Sequence, residues 1–249
     1  MNRSRKPDIS SAGLHMLAMG LMLCDHLWAT LFPAQEWLTC IGRLAFPIFA
    51  FLAAEGFRRT HSLRRYLLRL LGWALLSEIP FNLMVGGSVL YPYHQNVLWT
   101  FLLALLTIAL MEKCRARLRP VFAVPVCAAL ILLGFLLGYA ALLDYFGAGV
   151  LTVLTFYFFK GQNWKNRLGQ FLCMYFLNIT LLGGYYYAFS LFGYKIEVFQ
   201  QGFALLALIP IWLYRGRQGP HGKAFRLFCY AFYPAHMLLL FFLRAWVLR

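Results

Sequence analysis

Acidic side chains are scarce in this chain, with eight Asp and Glu against 23 Lys and Arg across 249 residues. Only 12% of the residues are charged while 62% are hydrophobic, too little polarity to clothe a water-soluble domain. The six cysteines, Cys24, Cys40, Cys114, Cys127, Cys173 and Cys229, have none of the paired spacings of disulfide frameworks or metal sites. They read as core residues of apolar runs. No Walker or Gly-rich phosphate motif occurs, which argues against an ATP-driven reaction. Internal repeats, low-complexity tracts and long polar loops are missing too, so residues 1–249 read as one transmembrane domain with no separate soluble unit. A basic start followed by an apolar run imitates a secretory signal, but a small-x-small cleavage site is lacking and Asp25-His26 lies inside the run. It is read as a retained first helix.

Apolar runs recur at near-regular intervals, and most can cross a hydrocarbon core of roughly 30 Å at about 1.5 Å per helical residue. Spans are expected near 12–32, 38–57, 66–86, 96–112, 119–137, 141–159, 168–187, 198–214 and 226–247, giving an all-α polytopic bundle of about nine transmembrane helices. Gly138–Gly147 and Gly183–Tyr194 interrupt the sixth and seventh, and an eight-helix count would return the C-terminus to the inside. The net charge of +15 does not point to nucleic acid, because the basic residues sit in short tracts between apolar runs. Those tracts are Arg3, Arg5 and Lys6; Arg58, Arg59, Arg64, Arg65 and Arg69; Lys113, Arg115, Arg117 and Arg119; Lys160, Lys165 and Arg167; and Arg215, Arg217, Lys223 and Arg226. With nine helices all of them fall on one side, which places the N-terminus in the cytoplasm and the C-terminus outside. Tyr91, Tyr93, Tyr185, Tyr186 and Tyr187 lie where an outer aromatic belt is expected.

Four of the eight acids, Asp25, Glu55, Glu78 and Asp144, fall in or at the ends of these helices. An ionisable group at membrane depth costs at least about 2.5 kcal/mol, so each needs a partner or a wet cavity. Counted from helix ends, Asp25 and Arg43 lie roughly 12 and 9 Å from the outer side and can meet, either as structural glue or as part of a working site. Glu78, Asn96 and His236 fall in the same layer. Adjacent helical residues point about 100° apart, so Asp25 cannot easily orient His26. It can pair with Arg43 or accept from His236, leaving His26 to face a cavity. Glu55 is expected to pair with Arg58 or Arg59, and Asp144 to sit in the first turn of a helix, where the positive end favours it.

The strings "LMLCDHLWATLFP", "IGRLAFPIFAFLAAEGFRRT", "RRYLLRLLGWALLSEIPFN", "QNVLWTFLLALL" and "YAFYPAHMLLL" resemble, in this order, the TraX family of bacterial membrane proteins. The likeness is dense over the first four helices and the last one; about 113 to 224 matches in hydrophobic character alone. It implies an acetyltransferase of the bacterial cytoplasmic membrane, since the family's namesake is associated with N-acetylation of the amino-terminal alanine of conjugative pilin. It also implies kinship with the wider multi-helix acyltransferases, which take acyl groups from acyl-CoA and use a membrane-embedded histidine. That carries the catalytic assignment to His26 with Asp25; Arg43, Glu55, Asn96 and His236 match the family pattern with less settled roles.

Acyl transfer from a thioester needs a nucleophile, a proton acceptor and donors for the developing oxyanion. On this reading His26 takes the proton from an acceptor amine or hydroxyl, near its ordinary pKa of about 6.5. Asp25 or His236 holds the network, with Glu78 nearby, and Arg43 or Asn96 supports the oxyanion. A covalent acetyl-histidine is a permitted variant. The phosphates of acetyl-CoA would suit the arginine forks of Arg58, Arg59, Arg64 and Arg65, although the topology rule alone also demands basic residues there. The acceptor, a peptide N-terminus, lipid-linked sugar or small amine, is left open. Two other readings stand beside this one: a proton-coupled transporter or flippase, which uses the same residue types, and a scaffold in which the polar cluster is dispensable.

Overall fold

The computed structural model describes residues 8–191, 194–220 and 222–247; Arg3, Arg5 and Lys6 lie outside the described residues. Ten α-helices run in chain order: α1 Ser11–Thr30, α2 Glu36–Gly42, α3 Ala45–Arg59, α4 Leu63–Gly86, α5 Val97–Arg117, α6 Pro120–Ala140, α7 Phe146–Phe158, α8 Trp164–Tyr175, α9 Leu208–Leu213 and α10 Lys223–Val247. Side chains set several starts. Ser10, Ser62, Asn96 and Asn163 each accept a backbone N–H of the first turn, from Gly13, Arg65, Leu98 and Asn166, the donors that a new helix leaves unpaired. Pro120 opens α6 where a missing N–H is harmless.

Among the described residues, five stretches are long and apolar enough to span a bilayer: Glu36–Arg59, Leu63–Gly86, Val97–Arg117, Pro120–Ala140 and Lys223–Val247. Phe146–Phe158 and Gln200–Leu213 are apolar but shorter. The helices are those of a multi-pass membrane protein; of the nine expected spans, these five have the length and apolar character of full crossings, and the others are shorter or less apolar elements. α1 has the length, but His15, Asp25 and His26 dilute its apolar character. The expected second span is α2 and α3 joined at Arg43 and Leu44.

The all-α expectation also needs correction in the seventh span. α8 stops at Tyr175 and loosens into a π-helical stretch, Phe176–Leu182. Gly183 and Gly184 then take φ of 55° and 94°, values that glycine adopts without a side-chain clash. The chain next forms an antiparallel hairpin, β1 Tyr186–Leu191 with β2 Tyr194–Phe199, pairing Tyr186 with Phe199 and Leu191 with Tyr194. β2 leads into the 3-10 helix Gln200–Ala207 and α9. Inside, Asn178 and Gln201 hydrogen-bond at 3.0 Å, so the polar side chains of this irregular return satisfy one another.

The described basic tracts gather at one end. Arg58 donates to the Phe156 carbonyl at the close of α7 (3.0 Å), Arg115 lies over Phe158, Gln162 donates to the Tyr214 carbonyl (2.7 Å) and Arg217 pairs with Asp8 (2.9 Å). At the opposite end Tyr93, Tyr185 and Tyr186 are exposed, while the Tyr187 hydroxyl accepts from Cys40 at 3.5 Å and from Gln200 at 3.3 Å. The path therefore alternates as the charge pattern requires, though several crossings are too short to be ordinary spans. The core is apolar and central; Leu14, Ile48, Leu105, Ile108, Phe156 and Met237 are fully buried.

Candidate active site

His26, in the penultimate turn of α1, and His236, in the middle of α10, meet across the bundle. The His26 Nδ1 and His236 Nε2 atoms are 2.7 Å apart, with the rings near-parallel at 7° and their centroids 4.9 Å apart. His236 Nδ1 lies 2.7 Å from the Phe232 carbonyl. A carbonyl only accepts, so in the neutral ring this nitrogen carries the proton and His236 Nε2 is bare. His26 Nδ1 must then donate to it, and its own Nε2 holds a lone pair. One backbone carbonyl thereby fixes both tautomers. Phe232 stacks on His236 at 4.8 Å, and Thr30 donates to the His26 carbonyl at 2.6 Å. His236 is buried, and His26 is half-buried.

Asp25 belongs to a neighbouring cluster. Its carboxylate accepts from Arg43 and, at 2.8 Å, from Thr39, and Arg43 also donates to Thr39 at 3.1 Å. Of the two partners expected for Asp25, Arg43 is the one observed, and the link to His236 is made by His26. α1 and α2 approach closely because residue 42 is glycine: a Cβ there would sit 2.5 Å from the Asp25 Cβ. Arg43 Nε is buried without a hydrogen-bond partner.

Glu78 accepts from Asn96 and, at 2.9 Å, from the Trp99 indole. Asn96 also donates to the Ala74 carbonyl at 3.0 Å and caps α5 through Leu98. Both protons of its amide are committed, which removes Asn96 as an oxyanion donor. Its place is structural, tying α4 to α5. Asp144 lies in the turn before α7 and bonds His94 at 3.2 Å; that hydrogen bond is the largest influence on the His94 ring and raises its pKa above the ordinary value. Glu55 behaves as expected, paired with Arg58 at 2.7 Å and Arg59 at 2.5 Å. It also accepts from the Tyr214 hydroxyl at 3.2 Å.

A cavity of about 630 Å³ opens at the basic end. Its mouth carries Arg59, Arg65, Arg69, His61 and Arg226, and its floor is Met22, Phe49, Val97, Leu98, Phe101 and Tyr233. Of the four arginines expected to bind a cofactor, Arg59 and Arg65 line it. Arg58 turns away to Glu55 and α7, and Arg64 is not among the lining residues. Arg69 completes the mouth, its guanidinium 5.6 and 5.7 Å from the rings of Tyr66 and Tyr230, and its Nε donates to the Tyr230 hydroxyl at 3.3 Å.

Two helical stripes connect this cavity to the histidines. Ser11, His15, Met19 and Met22 line it along α1, spaced as successive turns of one helix face, and His26 is the next position on that face. On α10, Arg226, Tyr230 and Tyr233 line it, and His236 follows, its ring 6.0 Å from that of Tyr233. The imidazole pair thus stands one turn, roughly 6 Å, beyond the floor. Sequence reasoning missed His15, Met22 and Tyr233 as cavity residues. The recurrence 11, 15, 19, 22, 26 was the available signal, hidden because Met and Ser do not mark themselves as site residues.

Fold and site define a polytopic membrane protein with an intramembrane histidine pair above a cavity that opens among arginines. The chain belongs to the TraX family: the model described as "TraX protein" matches residues 10–244. It is 28% identical over 261 residues to the probable fimbrial assembly protein FimC, serogroup H1, of Dichelobacter nodosus, covering 95% of this chain and 96% of that protein. It is 29% identical over 161 residues to protein TraX of Escherichia coli, covering 64% of this chain and 60% of that protein. No solved structure matches the chain.

Proposed function

We propose that this protein is a membrane-embedded acetyltransferase of the bacterial cytoplasmic membrane, taking the acetyl group from cytoplasmic acetyl-CoA and placing it on an amine or hydroxyl. The observation that carries the proposal is the cavity whose mouth is basic and whose α1 and α10 walls run on to His26 and His236. The basic end is the cytoplasmic end by the positive-inside rule. Arg59, Arg65, Arg69 and Arg226 there suit the phosphates of coenzyme A, and the apolar floor residues suit its thioester-bearing arm. The names of the relatives, a fimbrial assembly protein and TraX, favour a pilus-associated acceptor such as a peptide N-terminus.

Chemically, His26 Nε2 takes the proton from the acceptor as its lone pair attacks the thioester carbonyl carbon. The new bond to nitrogen or oxygen forms, the C–S bond breaks, and the imidazolium returns its proton to the departing thiolate. His236 accepts from His26 Nδ1 throughout and holds the tautomer. Asp25 instead holds Arg43, whose Nε has no hydrogen-bond partner and is the donor this reading assigns to the oxyanion. His26 is half-buried, and on this reading the acceptor meets it from the end opposite the basic mouth.

The test is the purified full chain in detergent with acetyl-labelled coenzyme A and a panel of peptide N-termini and small amines. Label transfer, or slow thioester hydrolysis, that disappears in His26→Ala supports the reading. A folded wild-type protein that neither transfers nor hydrolyses, yet moves protons or solute in vesicles, would establish the transport reading instead.

A further inference from the structure

The floor of the cavity is a packed barrier between the place where a thioester arrives and the place where it reacts. From Ser11 to Met22 the α1 wall descends about 16 Å, and His26 lies roughly 6 Å further. Between them stand Met22, Phe101 and Tyr233, each no more than 8% exposed. Behind Phe101 the ring of Phe46 stacks at 5.8 Å, and beside Tyr233 the α10 positions Met237 and Leu240 are sealed, at 0% and 2% exposure. The mouth is polar, whereas the floor is formed by buried apolar and aromatic side chains, and neither His26 nor His236 is among the residues lining the cavity. An acyl group that reaches His26 must slip past these three side chains with its carbonyl leading toward the imidazole, and its alkyl end must be housed among them.

We infer that Met22, Phe101 and Tyr233 form an acyl-length gauge that admits the two-carbon acetyl group and rejects longer acyl chains. This rests on the acyl-transfer reading above, and the bonds made and broken are those already given. Interiors packed to the density of organic solids resist added methylenes, because neighbours must leave their rotamers to make room. An apolar pocket discriminates one methylene by about ten- to two-hundred-fold, so butyryl, with two more, is expected to be at least roughly a hundredfold poorer than acetyl. Tyr233 has a second reason to be large and aromatic: its ring lies 6.0 Å from that of His236, tilted by 52°, and fills the space between the cavity and the pair.

The experiment measures kcat/KM of the full-length protein for acetyl-, butyryl- and hexanoyl-CoA with one fixed acceptor, in wild type, Met22→Ala, Phe101→Leu, Phe101→Ala and Tyr233→Phe. The butyryl-to-acetyl ratio is expected to rise at least about tenfold in Met22→Ala and Phe101→Ala, to rise less in the milder Phe101→Leu, and to stay at the wild-type value in Tyr233→Phe, which keeps the ring. A wild type that uses butyryl as readily as acetyl overturns the gauge. So does a ratio that stays fixed in Phe101→Leu and Met22→Ala when both elute and melt like wild type. Failure of every acyl-CoA in wild type overturns the acyl-transfer reading itself, so the two failures are distinguishable.

Discussion

Replacing His236 with Leu removes two interactions of 2.7 Å at once, the bond from His26 and the bond to the Phe232 carbonyl. The donor left behind, His26 Nδ1–H, has no other hydrogen-bond partner among the described residues, and since the ring is half-buried the orphaned donor costs at most about 1–3 kcal/mol. His26 recovers that energy only by turning or by moving its proton to Nε2, and either change removes the lone pair from the acceptor. Taken as a loss of the correctly poised ring, 1–3 kcal/mol corresponds to roughly a 5- to 150-fold fall in turnover. His26→Ala, which deletes the base outright, is expected to lose about 10²- to 10⁴-fold. His236→Gln should lie nearest wild type, because its carbonyl oxygen can accept from His26 while its amide donates to Phe232. The double variant should be no worse than His26→Ala, since both residues act as one unit. The assay is steady-state transfer from labelled acetyl-CoA, with single-turnover hydrolysis as a check when no acceptor is supplied. Wild-type turnover in a folded His236→Leu protein would refute the tautomer argument.

Gly42→Ala is expected to lower stability by about 1–3 kcal/mol, because its Cβ would meet Asp25 at 2.5 Å with backbone behind it; thermal unfolding in detergent reads this. Asn96→Ala should cost at least the roughly 1 kcal/mol of a lost cap, and more because Glu78 loses a partner, with Asn96→Asp recovering only the cap. The His94–Asp144 pair raises the folded-state pKa of His94, so its stabilisation is full below the ordinary value of about 6.5 and is lost as pH rises through the raised value. The melting-temperature gap between wild type and His94→Gln should therefore be wider at about pH 5.5 than at about pH 8.5, and a gap that is flat or widens upward contradicts this sign. At the cavity mouth, Arg65→Gln is expected to raise KM for acetyl-CoA roughly two- to fivefold, an exposed-charge effect that salt should erase. Arg58→Gln, which breaks contacts to Glu55 and Phe156, should lower the melting temperature and leave that KM alone; equal KM effects of the two would deny the cavity its role.

Much of the site was legible because charge in oil is rare and therefore informative. Asp25, Arg43, Glu78, Asn96 and His236 stood out against an apolar background, and counting helical rise placed them in one layer. The Asp25–Arg43 pair was legible, but the other pairings were not. Depth says which residues share a layer, but azimuth decides which side chains touch, and azimuth depends on how α1, α2, α4, α5 and α10 pack around one another. Hence Asn96 turned out to be a committed cap, and His26, expected to face a cavity, instead pairs with His236 one turn beyond it. The arginine tract after α3 was equally divided: Arg59 and Arg65 face the cavity, Arg58 faces α7, and no linear rule separates them.

Taken alone, the sequence determined the medium and the path: 62% hydrophobic residues, regular apolar runs and one-sided basic tracts suffice, because partition into lipid and loop charge are additive along a chain. Only the tertiary structure decided where the path breaks down, at the π-turn and hairpin of residues 176–199, where Gly183 and Gly184 carry backbone angles that periodicity does not encode. It alone also brought residues 26 and 236 to within a hydrogen bond. A contact between the two ends of a chain depends on packing, which no local property of either end contains.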